Sequence, residues 1–342
     1  MPVLFQSTRR KFLSLFALGI VTVGSLNACS NQQTSSSTPS SANAPQVVRL
    51  DYAYYNPVSL VLKKKGWLEE ELQKSNIKVE WVLSQGSNKA LEFLNSSSID
   101  FGSTSGASAL VGKANGNPIK SIYIYSKPEW TALVVPANSP INSVADLKGK
   151  RIAATRGTDP FIFLLRALNE AGLSDKDVEI VPLQHADGKA ALEKGDVDAW
   201  AGLDPFMAQT EVEKNSKLFY RNPQFISQGF LNVRESFAQQ YPNQVLQVLT
   251  AYEKARQWAI ANPDELQKIV IEEAKLSEPV AQKQLKERTN LTEPVIGDEQ
   301  KQVITAAGTV LKSSGIIPES INVTEVVNTL IDPQYVNKVV KP

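Results

Sequence analysis

Hydrophobic positions fall into three regimes along the chain. Phe12 to Leu26 is a nearly unbroken apolar run. Asn31 to Pro45 has almost no apolar positions. From Val47 onward, short β-type runs alternate with segments of helical period, the pattern of an α/β fold built on parallel strands. Strands are expected at Val47–Ala53, Val79–Val82, Ile99–Gly102, Ile122–Tyr125 and Thr131–Val135, the last as a crossover out of the first half of the body. Further strands are expected at Arg151–Ala154, Val178–Leu183 and Val197–Ala201, and Phe225 to Val233 is expected to cross back. Ala107, Leu110, Val111 and Ala114 share one helix face, and Asn115-Gly116 ends that helix. Asp159-Pro160 starts a helix with Asp159 as N-cap, Phe161, Leu164, Leu165 and Leu168 as its buried face, and Gly172 as its end. Asp204-Pro205 starts another by the same device, and Ala186 to Lys194 reads as loop and helix. From Tyr241 the chain is helical, with Val245, Val248, Leu249 and Tyr252 on one face and a second helix over Gln300 to Ser314, both wrapping the first half. Lys63-Lys64-Lys65 reads as a solvated face.

The stretch from Ser84 to Gly116 organises the rest. It reads small polar loop, helix, strand, small polar loop, helix, with Gly, Ser, Thr or Asn where each helix begins. Successive strand-to-helix loops of a parallel sheet open on one edge, where open sheets bind ligands. Two helix N-termini with spare N–H donors then point at one place, which suits a small anion; ordinary capping of an α/β domain is the alternative. The form of Ile99-Asp100-Phe101 returns in Val197-Asp198-Ala199, each after a helix end and tight turn, so that two halves of similar design can face each other.

Composition sharpens this. The 342 residues suggest two domains, and a formal net charge of +1 provides no strong field for nucleic acid. Arg9, Arg10 and Lys11 precede the apolar run, so residues 1–28 read as a signal peptide, and Leu26-Asn27-Ala28-Cys29 resembles a bacterial lipobox with Cys29 the acylated mature N-terminus. Thr8–Leu13 also resembles a twin-arginine export signal; the Sec route is the alternative. Residues 29–45 read as a lipid-anchored flexible tether. Cys29 is the only cysteine, so the folded body has no disulfide and no catalytic thiol. The sole histidine, His185, reads as a surface or loop residue without a triad signature, and no phosphate-binding Gly-x-x-x-x-Gly-Lys-Ser/Thr run exists.

Five segments in order carry a resemblance: Asp51–Asn56, Gly86–Leu91, Ile99–Thr104, Asp146–Ala153 and Gly195–Trp200. Together they resemble the aliphatic-sulfonate-binding proteins of ABC importers, relatives of the nitrate- and taurine-binding proteins. The resemblance implies a two-lobed periplasmic-binding-protein fold of type II, each lobe a mixed sheet flanked by helices, joined by two crossover strands. Residues 46–133 and 228–342 would form lobe I and residues 134–227 lobe II. The implied function is a lipid-anchored extracytoplasmic subunit, in the periplasm or at the cell surface, which captures a small sulfonate between the lobes and delivers it to membrane permease subunits. The implied protein is a monomer, uses no cofactor or metal, and is not an enzyme. Alternatives are a nitrate, taurine or other small-ligand binder, or an enzyme of pyrimidine or menaquinone type on the same fold.

The family's pocket falls on Tyr55, Asn56, Ser87, Asn88, Thr104 and Ser105 in the first lobe and on Arg156, Gly157, Thr158 and Asp204 in the second, with Trp130 either lining the cleft or packing in the hinge. Two departures stand out. Ser105-Gly106 replaces the Gly-Glu that often follows Thr104's counterpart, and Leu203 replaces the Trp that often precedes Asp-Pro. Arg156 would be the one fixed cation for a charged head group, or would pair with Asp159 or Asp204 as scaffold. Helix ends plus a single arginine suit a monoanion better than a dianion. Thr104→Val is accordingly expected to cost more affinity than His185→Ala.

Overall fold

The computed structural model describes residues 44–340; the signal segment and Cys29 lie outside the described residues. Ten strands run in chain order: β1 Val47–Tyr52, β2 Lys78–Leu83, β3 Phe101–Ser105, β4 Ile119–Ser126, β5 Thr131–Val135, β6 Arg151–Ala154, β7 Glu179–Pro182, β8 Ala199–Leu203, β9 Lys217–Tyr220 and β10 Gly229–Arg234. Between them lie α1 (Pro57–Lys65), α2 (Trp67–Gln73), α3 (Ser87–Asn95), α4 (Gly106–Ala114), α5 (Asp159–Glu170), α6 (His185–Lys194) and α7 (Phe206–Lys214). After β10 follow α8 (Glu235–Gln240), α9 (Pro242–Ala261), α10 (Pro263–Ala274), α11 (Glu278–Gln282), α12 (Asp298–Ser313), α13 (Val323–Leu330) and α14 (Val336–Val339).

The strands form two five-stranded sheets of the same design, ordered β2-β1-β3-β10-β4 and β7-β6-β8-β5-β9. In each, three strands run parallel, and a strand arriving from the other half of the chain inserts antiparallel beside the third. The molecule is thus two-lobed, with a mixed sheet and flanking helices in each lobe. The expected division between residues 133 and 134 runs through β5, and the pairing of that strand places all of it in the second sheet. The chain passes between sheets over residues 127–130 and 221–228, bounded by β4, β5, β9 and β10.

The internal echo has the same geometry in both lobes. Asp100 Oδ2 accepts from Arg49 N at 2.9 Å, and Asp100 N donates to Arg49 O at 2.8 Å. Asp198 Oδ2 accepts from Arg151 N, and Asp198 N donates to Arg151 O, both at 2.8 Å. Each aspartate ties the start of its lobe's third strand to the first residues of the neighbouring parallel strand, which sets the height at which the following loops emerge.

Local chemistry starts the helices as the sequence indicates. Asn56 Oδ1 caps α1 by accepting from Ser59 N, with Pro57 in the first turn, and Asp204 Oδ1 caps α7 by accepting from Ala208 N. At α5 the cap is Thr158, and Asp159 is the first helical residue, with its carboxylate turned elsewhere. The lysine run is less solvated than expected. Lys63 and Lys64 pair with Glu273 and Glu272 of α10, and Lys65 lies over the Trp258 ring, so this segment seams α1 to the C-terminal helices. Those helices pack chiefly on the first lobe, and α12 and α11 also touch α5 and α7 of the second.

Candidate functional site

Strand-to-helix loops from both lobes converge on one cavity of about 250 Å³. The first lobe provides Tyr54 and Tyr55 after β1 and Leu83–Gln85 after β2. The second provides Gln184–Asp187 after β7 and Leu203–Phe206 after β8. All four segments follow the carboxyl ends of parallel strands, where an open sheet accepts ligands. The Tyr55 hydroxyl donates to Ser103 O at 3.0 Å, and its ring meets Trp130 edge-on at 5.9 Å. Asn56 Nδ2 donates to Ser103 Oγ, which itself donates to Asp51 Oδ1 at 2.8 Å. Burial pushes the Asp51 carboxyl up to about 6, against the hydrogen bonds from Ser103 that hold it down. This buried polar chain holds the tyrosine wall at a set depth.

The opposite wall is organised by His185, which sits at the start of α6 and is 1% exposed, not a surface or loop residue. Burial pushes its imidazole down to about 3, so the ring is neutral at ordinary pH. Nδ1 lies 3.2 Å from Thr155 Oγ1, while Nε2 has no hydrogen-bond partner among the described residues. Gln184 Oε1, from a residue that also lines the cavity, is likewise buried and unpartnered there. No side chain caps α3 or α6, so their first N–H groups and the positive ends of both helix dipoles remain for an acceptor. The lobes touch at this edge. A Cβ on Gly86, the residue preceding α3, would stand 3.0 Å from His185 Nε2, and one on Gly157 would stand 3.8 Å from Asn88 Cβ.

Of the residues expected in the site, Tyr55 and Asp204 line the cavity, and Asn88 and Gly157 meet at its lobe-to-lobe edge. The others are engaged within the protein. Asn56 belongs to the Asp51–Ser103 chain, and Ser87 Oγ accepts from Ser105 N. Thr104 is fully buried on β3, donating to Ser105 O and accepting from Asn232 Nδ2. Ser105 caps α4, whose next N–H groups go to Gln228 O and Ser227 Oγ, so this helix end is closed to a ligand. Thr158 donates to Thr155 O. Trp130 packs in the hinge behind Tyr55, its Nε1 donating to Asp159 Oδ2 at 2.9 Å. Arg156 is exposed, its guanidinium 5.4 Å from the Phe161 ring, and pairs with neither Asp159 nor Asp204. The partner of Asp204 is Arg288, at 3.1 Å, which also binds Glu211. Burial pushes Asp204 up to about 6, with Arg288 opposing. Arg288 lies 84 residues from Asp204, in a segment that pairs with residues 124–129, and no local sequence signal marks it. Among the described residues no lysine or arginine lines the cavity.

A family model described as "NMT1/THI5 like" matches residues 58–266. The chain belongs to the NMT1/THI5-like family. A protein of Bacillus subtilis (strain 168), provisionally named an aliphatic sulfonates-binding protein, is 32% identical over 276 residues, covering 80% of this chain and 83% of that one. Among solved structures, the alkanesulfonate-binding protein SsuA from Xanthomonas axonopodis pv. citri, bound to MOPS, superposes with a TM-score of 0.76 at 24% identity, covering 84% of this chain and 99% of that one. It shares the periplasmic-binding-protein fold described above. The fold also carries chemistry elsewhere: the desulfurization enzyme DSZB superposes with a TM-score of 0.63 at 15% identity, covering 86% of this chain and 99% of that one.

Proposed function

We propose that this protein is the extracytoplasmic binding subunit of an ABC importer and takes a small organic sulfonate in the cavity between its lobes. The observation that carries this reading is the cavity itself. It is built from strand-to-helix loops of both lobes, with the uncapped α6 N-terminus in its wall, the buried unpartnered His185 Nε2 and Gln184 Oε1, and the aromatic side chains Tyr54, Tyr55 and Phe206. The sulfonate would rest on helix N–H groups, each dipole contributing about 0.3–2 kcal/mol. The organic part would lie against the aromatic rings. With no lysine or arginine among the lining residues, Arg288 shared between Asp204 and Glu211, and Asp187 adding a carboxylate, the site suits one negative charge better than two.

Binding rather than catalysis is favoured because no activated nucleophile meets His185: the hydroxyl beside Nδ1 already donates its proton to Leu183 O. Ligand delivery to permease subunits, monomeric state and anchoring through Cys29 belong to the same reading. Calorimetry against alkyl sulfonates, sulfate, phosphate and nitrate tests it. Sulfonates should bind at least about tenfold tighter than the dianions, a difference of ~1.4 kcal/mol. A tighter dianion sinks the charge argument, and binding of nitrate alone moves the protein to a nitrate-type function. Fractionation of Cys29→Ala tests the anchor: the variant should leave the membrane fraction, and one that stays there counts against acylation.

A further inference from the structure

The hydrogen bonds around His185 fix which of its nitrogens carries the proton. Thr155 Oγ1 has one hydrogen, and it lies 2.7 Å from Leu183 O, to which it donates. Toward His185 Nδ1, at 3.2 Å, the same oxygen can therefore only accept, so the ring proton sits on Nδ1. Nε2 is then a bare lone pair. It is buried, faces the lobe-to-lobe edge of the cavity at Gly86, and has no donor among the described residues. Asn88 Oδ1 approaches the same glycine from the first lobe and is also buried without a partner. Gln184 Oε1 adds a third unpartnered acceptor, and Asp187 brings a carboxylate to the same wall. The α6 wall of the cavity therefore offers helix N–H donors and, beside them, acceptors with nothing to accept from. A plain alkyl sulfonate satisfies only the first.

We propose that His185 is a specificity-determining ligand contact whose Nε2 accepts a hydrogen bond from the ligand, so that the cleft selects sulfonates carrying an N–H or O–H donor over alkyl sulfonates of the same size. The proposal rests on the sulfonate reading above. A site that presents a buried, unpaired acceptor favours a ligand that donates to it over an isostere that leaves it unpaired. The carboxylate of Asp187 adds attraction for an ammonium donor.

Three ligands of nearly equal size separate the possibilities: 2-aminoethanesulfonate, 2-hydroxyethanesulfonate and propane-1-sulfonate. Calorimetry should find the first two bound at least about tenfold tighter than the third. In His185→Phe, which keeps a ring and removes the acceptor, that ratio should collapse toward one. Equal binding of all three to the native protein overturns this proposal and leaves the sulfonate reading standing. No binding of any of them overturns the sulfonate reading, and this proposal with it. Nitrogen NMR gives a readout that needs no substitution in the ring, because His185 is the only histidine in the chain. The ligand-free protein should show a protonated Nδ1 and a bare Nε2, and 2-aminoethanesulfonate should shift the Nε2 signal. A proton on Nε2 overturns the proposal. So does an Nε2 signal that Asn88→Ala already moves without ligand, since Asn88 would then be the donor.

Discussion

At the scale of single residues, the contrast between Thr104 and His185 is decisive. Both are polar side chains near a helix start in the sequence. Only His185 lines the cavity, whereas Thr104 holds Asn232 Nδ2 within the first sheet. The expected ranking of Thr104→Val above His185→Ala in lost affinity is therefore reversed. Thr104→Val should lower stability by about 1 kcal/mol through loss of the hydrogen bond from Asn232 Nδ2, which keeps Gly102 O as an acceptor, measured by chemical denaturation, and leave sulfonate affinity unchanged. His185 also fixes a pH dependence. Its imidazole is pushed from the ordinary value near 6.5 to about 3, so the unfolded chain takes up this proton before the folded one. Its contribution to stability is whole above pH 6.5 and declines as pH falls toward 3. The stability difference between native protein and His185→Gln should shrink on acidification by up to about 1.4 kcal/mol per pH unit. The buried carboxylates Asp51, Asp159 and Asp204, pushed up to about 6, act in the opposite sense and cancel in that difference. A constant difference between pH 6.5 and 4 would show that the ring is not held neutral.

At the scale of elements, three helix starts that look alike in sequence part ways. The start of α4 is closed by Ser105, Ser227 and the carbonyl of Gln228, while α3 and α6 begin without a side-chain cap, and α6 lines the cavity. Gly86, ahead of α3, lies against His185 of the second lobe. A Cβ there would stand 2.7 Å from Asn88 Oδ1 and 3.0 Å from His185 Nε2. Gly86→Ala should therefore prop this edge and weaken ligand binding about fivefold or more, from an overpacking cost of ~1 kcal/mol or above. The backbone at Gly86, with φ +159°, is also one that residues with a side chain rarely adopt, so the melting temperature of the ligand-free protein should fall as well. Full affinity in the variant would show that the edge relaxes on its own.

At the scale of the whole molecule, Asp159 joins the parts that must move together. Its carboxylate accepts from Trp130 Nε1 in one interlobe passage and from Ser227 Oγ, at 2.6 Å, in the other, and Ser227 Oγ accepts from Ala107 N of α4. One buried residue of the second lobe thus ties both passages to a helix of the first. Closure around a ligand adds contacts that only the closed arrangement makes. A sulfonate at 100 times its Kd should stabilise the protein by about 2.7 kcal/mol, and X-ray scattering should show compaction at the same concentration. Asp159→Ala leaves two donors without their acceptor, and in the ligand-free variant the scattering radius should exceed that of the native protein. Binding without compaction would place the ligand on one lobe alone.

The sequence by itself determined the elements, their alternation and the likeness of the two lobes, because these rest on period, capping and turn chemistry within a few residues. The repeated form around Asp100 and Asp198, the helix start at Asp204-Pro205 and the apolar face of α9 were all legible on those grounds. The tertiary structure alone decided which polar groups face a ligand. A hydroxyl at a helix start is equally suited to capping its own helix, to holding a strand, or to meeting a ligand, and the choice depends on what the opposite lobe brings within 3 Å. For the first N–H groups of α4, at Gly106 and Ala107, that is Gln228 and Ser227, for Trp130 it is Asp159, and for Asp204 it is an arginine 84 residues away. His185 carried no motif, and its part in the site follows from burial against Gly86 across the cleft, a contact between residues 99 positions apart that no local pattern encodes.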